Sequence, residues 1–229
     1  MARKPPRRTR ERILETALAL FNRDGEPHVT TADIADELNI SPGNLYYHFR
    51  NKDEIIGLLF GELDASLAPL LAGPSSRDAD VEDFWLFMHL LFERVWEYRF
   101  FFRDLDEITS RDRKLAVRVA ELLKREQHAV IELCGGLRSA DALRADDAEI
   151  ASLAVSVVMI ATYWMSFQRL SHAAGSAGDD PPGMQFERAI AQVLGLLAPY
   201  LHGEHRALVE HLGARYVGGA ARKASAAEE

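Results

Sequence analysis

Apolar residues recur along this chain at three- and four-residue steps almost from end to end, the spacing that gathers them on one face of an α-helix. Ile13, Leu14, Ala17, Leu18 and Phe21 predict a helix over 8–23, with Gly25 as its stop. Thr30 is placed to cap a second helix, with Asp33 reaching back to it and Ile34, Ala35 and Leu38 turned inward. Asn39 and Ile40 make a tight turn, after which Ser41 caps a third helix with Pro42 at its first position. Asn51 and Glu54 cap a fourth through Ile55, Ile56, Leu59 and Leu63, which Pro69 should kink or end near Ala68. GPSSRD, residues 73–78, reads as a linker.

The helical period continues beyond it. A wide stripe of Phe84, Trp85, Met88, Leu91, Phe92, Val95 and Trp96 predicts a helix over 81–98. FFFRDLDEI then forms a short helix or turn. A long helix over 110–134 should stop at Gly135 and Gly136. Another begins at Asp146 or Asp147, where acids complement the helix dipole, and runs to Ser171. After the loop 173–183 come helices over 185–201 and 204–217, then a frayed tail. No segment alternates as a strand does and no repeat is present, so the expected fold is all-α.

With 229 residues, 48% of them hydrophobic, the chain is globular rather than disordered. Cys134 is the single cysteine and lies in an apolar run, which predicts a buried structural thiol and excludes an internal disulfide framework. No apolar stretch follows the basic start, so a secretory signal is not expected and the anticipated location is the cytoplasm. The net charge of −8 argues against nucleic acid until its distribution is considered. Residues 1–23 carry seven Lys or Arg against two acids, and residues 1–60 carry nine of each sign. The acidic excess therefore lies wholly after residue 60, which suggests two domains with different partners. The expected division is an N-terminal head with a basic arm over 1–56, a helical domain over 57–217 and a flexible tail over 218–229.

The helix over 31–38, the short turn and the helix over 42–48 have helix-turn-helix spacing. In SPGNLYYHF (41–49), Leu45 and Phe49 share one face and can enter a core. Gly43, Asn44, Tyr46, Tyr47 and His48 then project elsewhere. Gly43 permits close approach, Asn44 suits base edges, and the tyrosine hydroxyls and histidine N–H suit phosphate oxygens. Lys52 adds a positive charge beside a helix N-terminus.

The stretch ILETALALFNRDG…TTADIADELNISPGNLYYHFRNKDEII resembles the DNA-binding head of the TetR family of bacterial transcriptional regulators over roughly residues 10–60. The resemblance implies phosphate contacts from Thr31, Tyr46, Tyr47, His48 and Lys52, with Ser41, Gly43 and Asn44 close to bases or the adjoining backbone. It also implies a homodimer and a helical C-terminal domain that binds a small-molecule effector and releases a double-stranded DNA operator.

Other features change this picture little. Residues 150–168 carry no charge for nineteen positions, long enough for a membrane span. Interrupting serines and threonine with an acidic start favour instead a helix buried on two sides, one against its own domain and one against a partner subunit. His202, His205 and His211 beside Glu204 and Glu210 lack a metal-binding pattern and read as surface histidines. Among the clustered aromatics, Trp96, Phe100, Tyr163 and Trp164 are the candidates to line an effector cavity. No nucleotide-binding, nucleophile or metalloprotease motif is present, so neither an enzyme nor a cofactor or metal site is expected. The reading is a dimeric, sequence-specific transcriptional repressor released from a palindromic operator by an effector. An activator of the same fold is the alternative, and a nonspecific architectural DNA-binding protein is disfavoured by the acidic body.

Overall fold

The structure is a computed structural model that describes residues 6–72, 79–173 and 184–226. The expected linker at 73–78, nearly all of the loop at 173–183 and the start of the basic arm lie outside these residues. Eleven α-helices are present among the described residues: α1 (Pro6–Asp24), α2 (Thr31–Glu37), α3 (Pro42–His48), α4 (Lys52–Leu71), α5 (Val81–Glu97), α6 (Arg99–Arg103), α7 (Leu105–Arg111), α8 (Arg113–Ser139), α9 (Asp147–Ala173), α10 (Met184–Leu197) and α11 (Gly203–Ala226). Short 3₁₀ turns occupy Glu26–His28 and Ala198–Tyr200. The fold is all-α, and its one β-type pairing among the described residues is the isolated bridge between Leu143 and Leu201.

Two compact units divide the chain, and the division does not follow the boundary expected after residue 56. One unit joins Met1–Ser66 to Tyr98–Arg118; the other joins Leu67–Glu97 to Val119–Glu229. In the first, α1 buries Ile13, Leu14, Ala17, Leu20 and Phe21, while α2 and α3 contribute Ile34, Ala35 and Leu45. Phe49 and the inner face of α4 (Ile55, Ile56, Leu59, Phe60 and Leu63) complete this part of the core. The phenylalanines after Tyr98 belong to it as well: the Phe100 ring sits 5.2 Å from that of Phe21, and Phe101 5.2 Å from Phe60. Phe100, one of the residues expected at an effector cavity, is fully buried here and packs α6 against α1.

Caps place the helix starts. Thr30 and Asp33 form a reciprocal capping box, worth about 1 kcal/mol by analogy with other caps. Asn39, with φ of 57°, makes the left-handed turn that ends α2. Asp80 with Asp83, and Asp146 with Glu149, repeat the box at α5 and α9. The long helix expected from residue 110 starts at Arg113, because Asp112 is extended and its carboxylate accepts from the Lys114 and Leu115 amides. Pro69 neither ends nor breaks α4, which runs to Leu71. So near the C-terminus the missing N–H removes one bond of the last turn, and Ala72 N still reaches Ala68 O at 3.1 Å. The tail expected from residue 218 continues as helical backbone to Ala226.

In the second unit α10 packs on α5, α9 and α11, and α5 on α9. Phe84, Met88 and Leu91 of α5, Ala154 and Val158 of α9, and Ile190, Val193 and Leu194 of α10 form its core. Trp85 Nε1 donates to the Tyr216 hydroxyl at 2.6 Å and ties α5 to α11. On α8, Leu122, Ala129, Leu133 and Leu137 make an apolar stripe. Cys134 is buried among them, and burial pushes its thiol up to about 12, so it is not a thiolate near neutral pH.

Gly135 and Gly136 lie inside α8 and do not stop it. Gly136 is buried, and a Cβ there would stand 2.6 Å from Ala79 Cβ and 3.0 Å from the Ala79 backbone nitrogen. Its role is close approach, not termination. Gly136→Ala should therefore destabilise the protein by about 1–3 kcal/mol through overpacking. Gly135→Ala, with open space around it, should stabilise by about 0.5–1 kcal/mol. Thermal denaturation of the two variants checks the contrast.

Glu126 interrupts the same stripe. It is buried, and desolvation pushes its carboxyl up to about 8, against a smaller opposing pull from Arg125. An acid raised from 4.5 to about 8 in the folded state releases its proton in the unfolded chain first. The stability it permits is complete below 4.5 and is lost as pH rises towards 8. Glu126→Gln should accordingly raise the melting temperature more at pH 8 than at pH 5, and flatten the profile between them.

Candidate nucleic-acid interface

Two turns of helix can bury only one side, and that constraint builds the candidate surface. Ser41 Oγ accepts from the Asn44 amide at 3.2 Å and Pro42 occupies the first turn of α3. Phe49 N closes the helix on Leu45 O at 3.0 Å before the backbone turns extended. Leu45 and Phe49 are buried as expected, each contributing about 1.5–3 kcal/mol through removal from water. With that side committed, Tyr46 is 54% and Tyr47 81% exposed. His48 is half-buried, its ring edge-on to Tyr47 at 5.1 Å between centroids.

The remaining expected residues fall into two groups. Gly43 and Asn44 are exposed at the start of α3. Thr31 Oγ1 and the Tyr46 hydroxyl are hydrogen-bonded at 3.0 Å, which fixes the N-terminus of α2 to the exposed side of α3. Ser41 is exposed but its hydroxyl is used as the cap. Lys52 stands apart from these. Its ammonium donates to Glu26 O at 3.0 Å and Val29 O at 3.1 Å, and pairs with Glu26 Oε1 at 2.8 Å. An ammonium has three donors, and three intramolecular acceptors surround this one.

Glu26 was not legible as a site residue, since a lone acid in a loop reads as solvated. It is completely buried, and Oε1 also receives Arg111 Nη2 at 2.9 Å. Arg111 is held above its ordinary pKa: desolvation lowers it, but the bond to Glu26 and the charges of Glu26, Asp53 and Glu107 outweigh that loss. Neighbouring polar bonds join the same segments. Arg103 Nη2 donates to Phe21 O at 2.8 Å, and the Phe100 amide to Asn22 Oδ1 at 3.0 Å. The Glu26 amide also reaches Asp104 Oδ2 at 3.4 Å.

The aromatics expected to line an effector cavity are not gathered together. Phe100 is sealed in the unit that holds the helix-turn-helix, whereas Trp96, Tyr163 and Trp164 belong to the other. Trp164 packs against Phe167 at 5.7 Å, and Tyr163 is exposed. A surface depression of about 500 Å³ occurs in the head, edged by Asp24, Asp33, Asp36 and Glu37, and none of the four aromatics lines it. Among the described residues no cluster of three metal-ligating side chains is present, and His202, His205 and His211 do not converge on one.

Comparison with known proteins agrees with this geometry. A family model described as "Bacterial regulatory proteins, tetR family" matches residues 13–58, and one described as "Bacterial transcriptional repressor" matches residues 63–209. A probable acrEF/envCD operon repressor of Escherichia coli K12 is 42% identical over 48 residues, 21% of this chain and 22% of that protein. The HTH-type transcriptional regulator TtgR of Pseudomonas putida is 29% identical over 133 residues, 56% of this chain and 62% of that protein. The chain thus spans less than two thirds of either curated relative. A crystal structure of a TetR-family transcriptional regulator from Marinobacter aquaeolei VT8 superimposes with a TM-score of 0.81 at 34% identity, covering 91% of this chain and 98% of that one. A capped helix-turn-helix with its rings outward, matched along with the helical remainder, means that this chain belongs to the TetR family of bacterial regulatory proteins.

Proposed function

We propose that the protein is a cytoplasmic, dimeric repressor that reads a palindromic operator with α3 and is released by a small-molecule effector. The observation that carries the reading is the exposure of Tyr47 and Tyr46 on a helix anchored from the other side by buried Leu45 and by Phe49 just beyond its end. Gly43 adds to it. A Cβ at that position would meet only Ser41 Oγ, at 4.0 Å, so the protein's own packing gives no reason for glycine within a helix. A surface approaching from outside does. Asn44 beside it can address a base edge, while the tyrosine hydroxyls and His48 address phosphates. Repression is favoured over activation by the relatives that are named repressors.

Two copies of α3 must lie about 34–36 Å apart to enter successive major grooves, which requires a dimer. A stripe on α9 supplies a surface for it. Val155, Met159, Tyr163, Phe167 and Leu170 are all exposed at spacings of three and four residues, with Leu196 exposed on α10. The opposite side of α9 (Ala154, Val157, Val158 and Ala161) is packed in the core. The helix is long and apolar enough to cross a membrane by length and composition. Its placement between a core and a second copy accounts for that composition without lipid. Tyr163 then belongs to the interface, which leaves Trp96 and Trp164, both half-buried, as the aromatics proposed to meet an effector. Such a ligand acts only by binding the DNA-competent and incompetent dimers with different affinity.

On an operator obtained by random-oligonucleotide selection, Tyr47→Phe should weaken binding by about 1 kcal/mol for one lost phosphate hydrogen bond, equally across operator variants. Asn44→Ala should instead relax preference at one position; titration by fluorescence anisotropy separates the two patterns. Failure of the wild-type protein to prefer any selected sequence over random DNA would overturn the proposal. Val155→Glu should shift sedimentation from dimer to monomer and abolish operator binding, and a persisting dimer would place the interface elsewhere.

A further inference from the structure

Glu26 has more positive charge around it than one carboxylate requires. Its Oε1 is 2.8 Å from Lys52 Nζ and 2.9 Å from Arg111 Nη2, while its Oε2 has no hydrogen-bond partner among the described residues. The side chain is completely buried. A carboxylate in that position is strongly destabilising if left without a counter-ion. One cation satisfies the charge, so the second is surplus in the free protein.

The two cations differ in what else they can reach. Lys52 opens α4, only three residues after Phe49, and sits beside the candidate DNA surface. Arg111 closes α7, from a part of the chain more than fifty residues away. It is held there by Asp53 Oδ1 and Glu107 Oε1, each at 3.9 Å, in addition to Glu26. Lys52 also donates to the Glu26 and Val29 carbonyls at 3.0 and 3.1 Å. On its flexible stem it can exchange those neutral acceptors for a phosphate, whereas the Arg111 fork stays among three carboxylates.

We infer that Arg111 is a positioning residue for DNA binding: it stays on the buried Glu26 carboxylate when Lys52 turns to a phosphate, and so makes the Lys52 charge available to DNA. The inference rests on the reading of Lys52 as a phosphate contact. Without Arg111, Lys52 is the sole counter-ion of Glu26 and cannot leave it. The residue that decides whether α4 opens with a usable charge is then outside the segment that resembles a DNA-binding head.

Salt dependence of operator affinity tests this, because it counts neutralised phosphates where a structural defect alone does not. Lys52→Gln should lower the slope of log affinity against log salt by about 0.9, one phosphate's worth. Arg111→Gln should lower it equally although Arg111 meets no DNA, and Arg111→Lys should restore it. The double variant Glu26→Gln/Arg111→Gln should recover the wild-type slope, since no buried carboxylate then detains Lys52. An unchanged slope in Arg111→Gln, beside a reduced one in Lys52→Gln, overturns the inference and leaves the phosphate contact standing. A reduced slope in the double variant also overturns it, by making the loss structural. An unchanged slope in Lys52→Gln removes the phosphate contact itself, and the inference with it. If Arg111→Gln does not fold, Lys52→Gln decides by thermal denaturation. A melting temperature near wild type shows that Arg111 alone satisfies Glu26, and a collapsed one shows that it does not.

Discussion

Burying Leu45 and Phe49 on one side of a seven-residue helix is the constraint on which the functional surface depends. A helix this short cannot be stable alone. Its geometry comes from the Ser41 cap, the proline in its first turn and the two side chains driven into the core. Once those are in place the chirality of the backbone leaves Tyr46 and Tyr47 no inward direction. The two rings are therefore exposed as a consequence of packing on the other side.

That core is not made by residues 1–56 alone. Phe100 and Phe101 pack on Phe21 and Phe60, and Arg103 and Arg111 bond to the Phe21 carbonyl and the Glu26 carboxylate. Apolar burial supplies the attraction, while the polar bonds are directional and define one arrangement. A segment far along the chain thereby has a stake in how α1, the Glu26 turn and α4 are held. A ligand-responsive regulator of the kind proposed needs such a connection, because an effector can alter DNA affinity only through structure that the two states do not share.

The helical body shows the same division between apolar patterning and buried exceptions. Its stripes are regular, but Gly136 is present for contact with Ala79 and Glu126 is a carboxyl inside a row of leucines. α9 carries apolar residues on two sides, and one core can cover only one of them. The exposed remainder is the surface proposed to receive a second copy.

Most of the helices, the caps at Thr30, Ser41 and Asn51, and the outward rings of α3 were legible in the sequence, because each depends on residues within about one turn of another. Helix ends were less so. Gly135 and Gly136 carry the composition of a stop, yet the helix passes through them because what decides is a contact with Ala79, remote in sequence. The burial of Glu26 was out of reach for the same reason: its partners stand 26 and 85 residues away. So was that of Phe100, whose neighbours are on α1. Local patterning determines which elements form and which face each turns outward; pairing of distant charges and rings is decided only when the chain closes on itself, since no short-range signal records it.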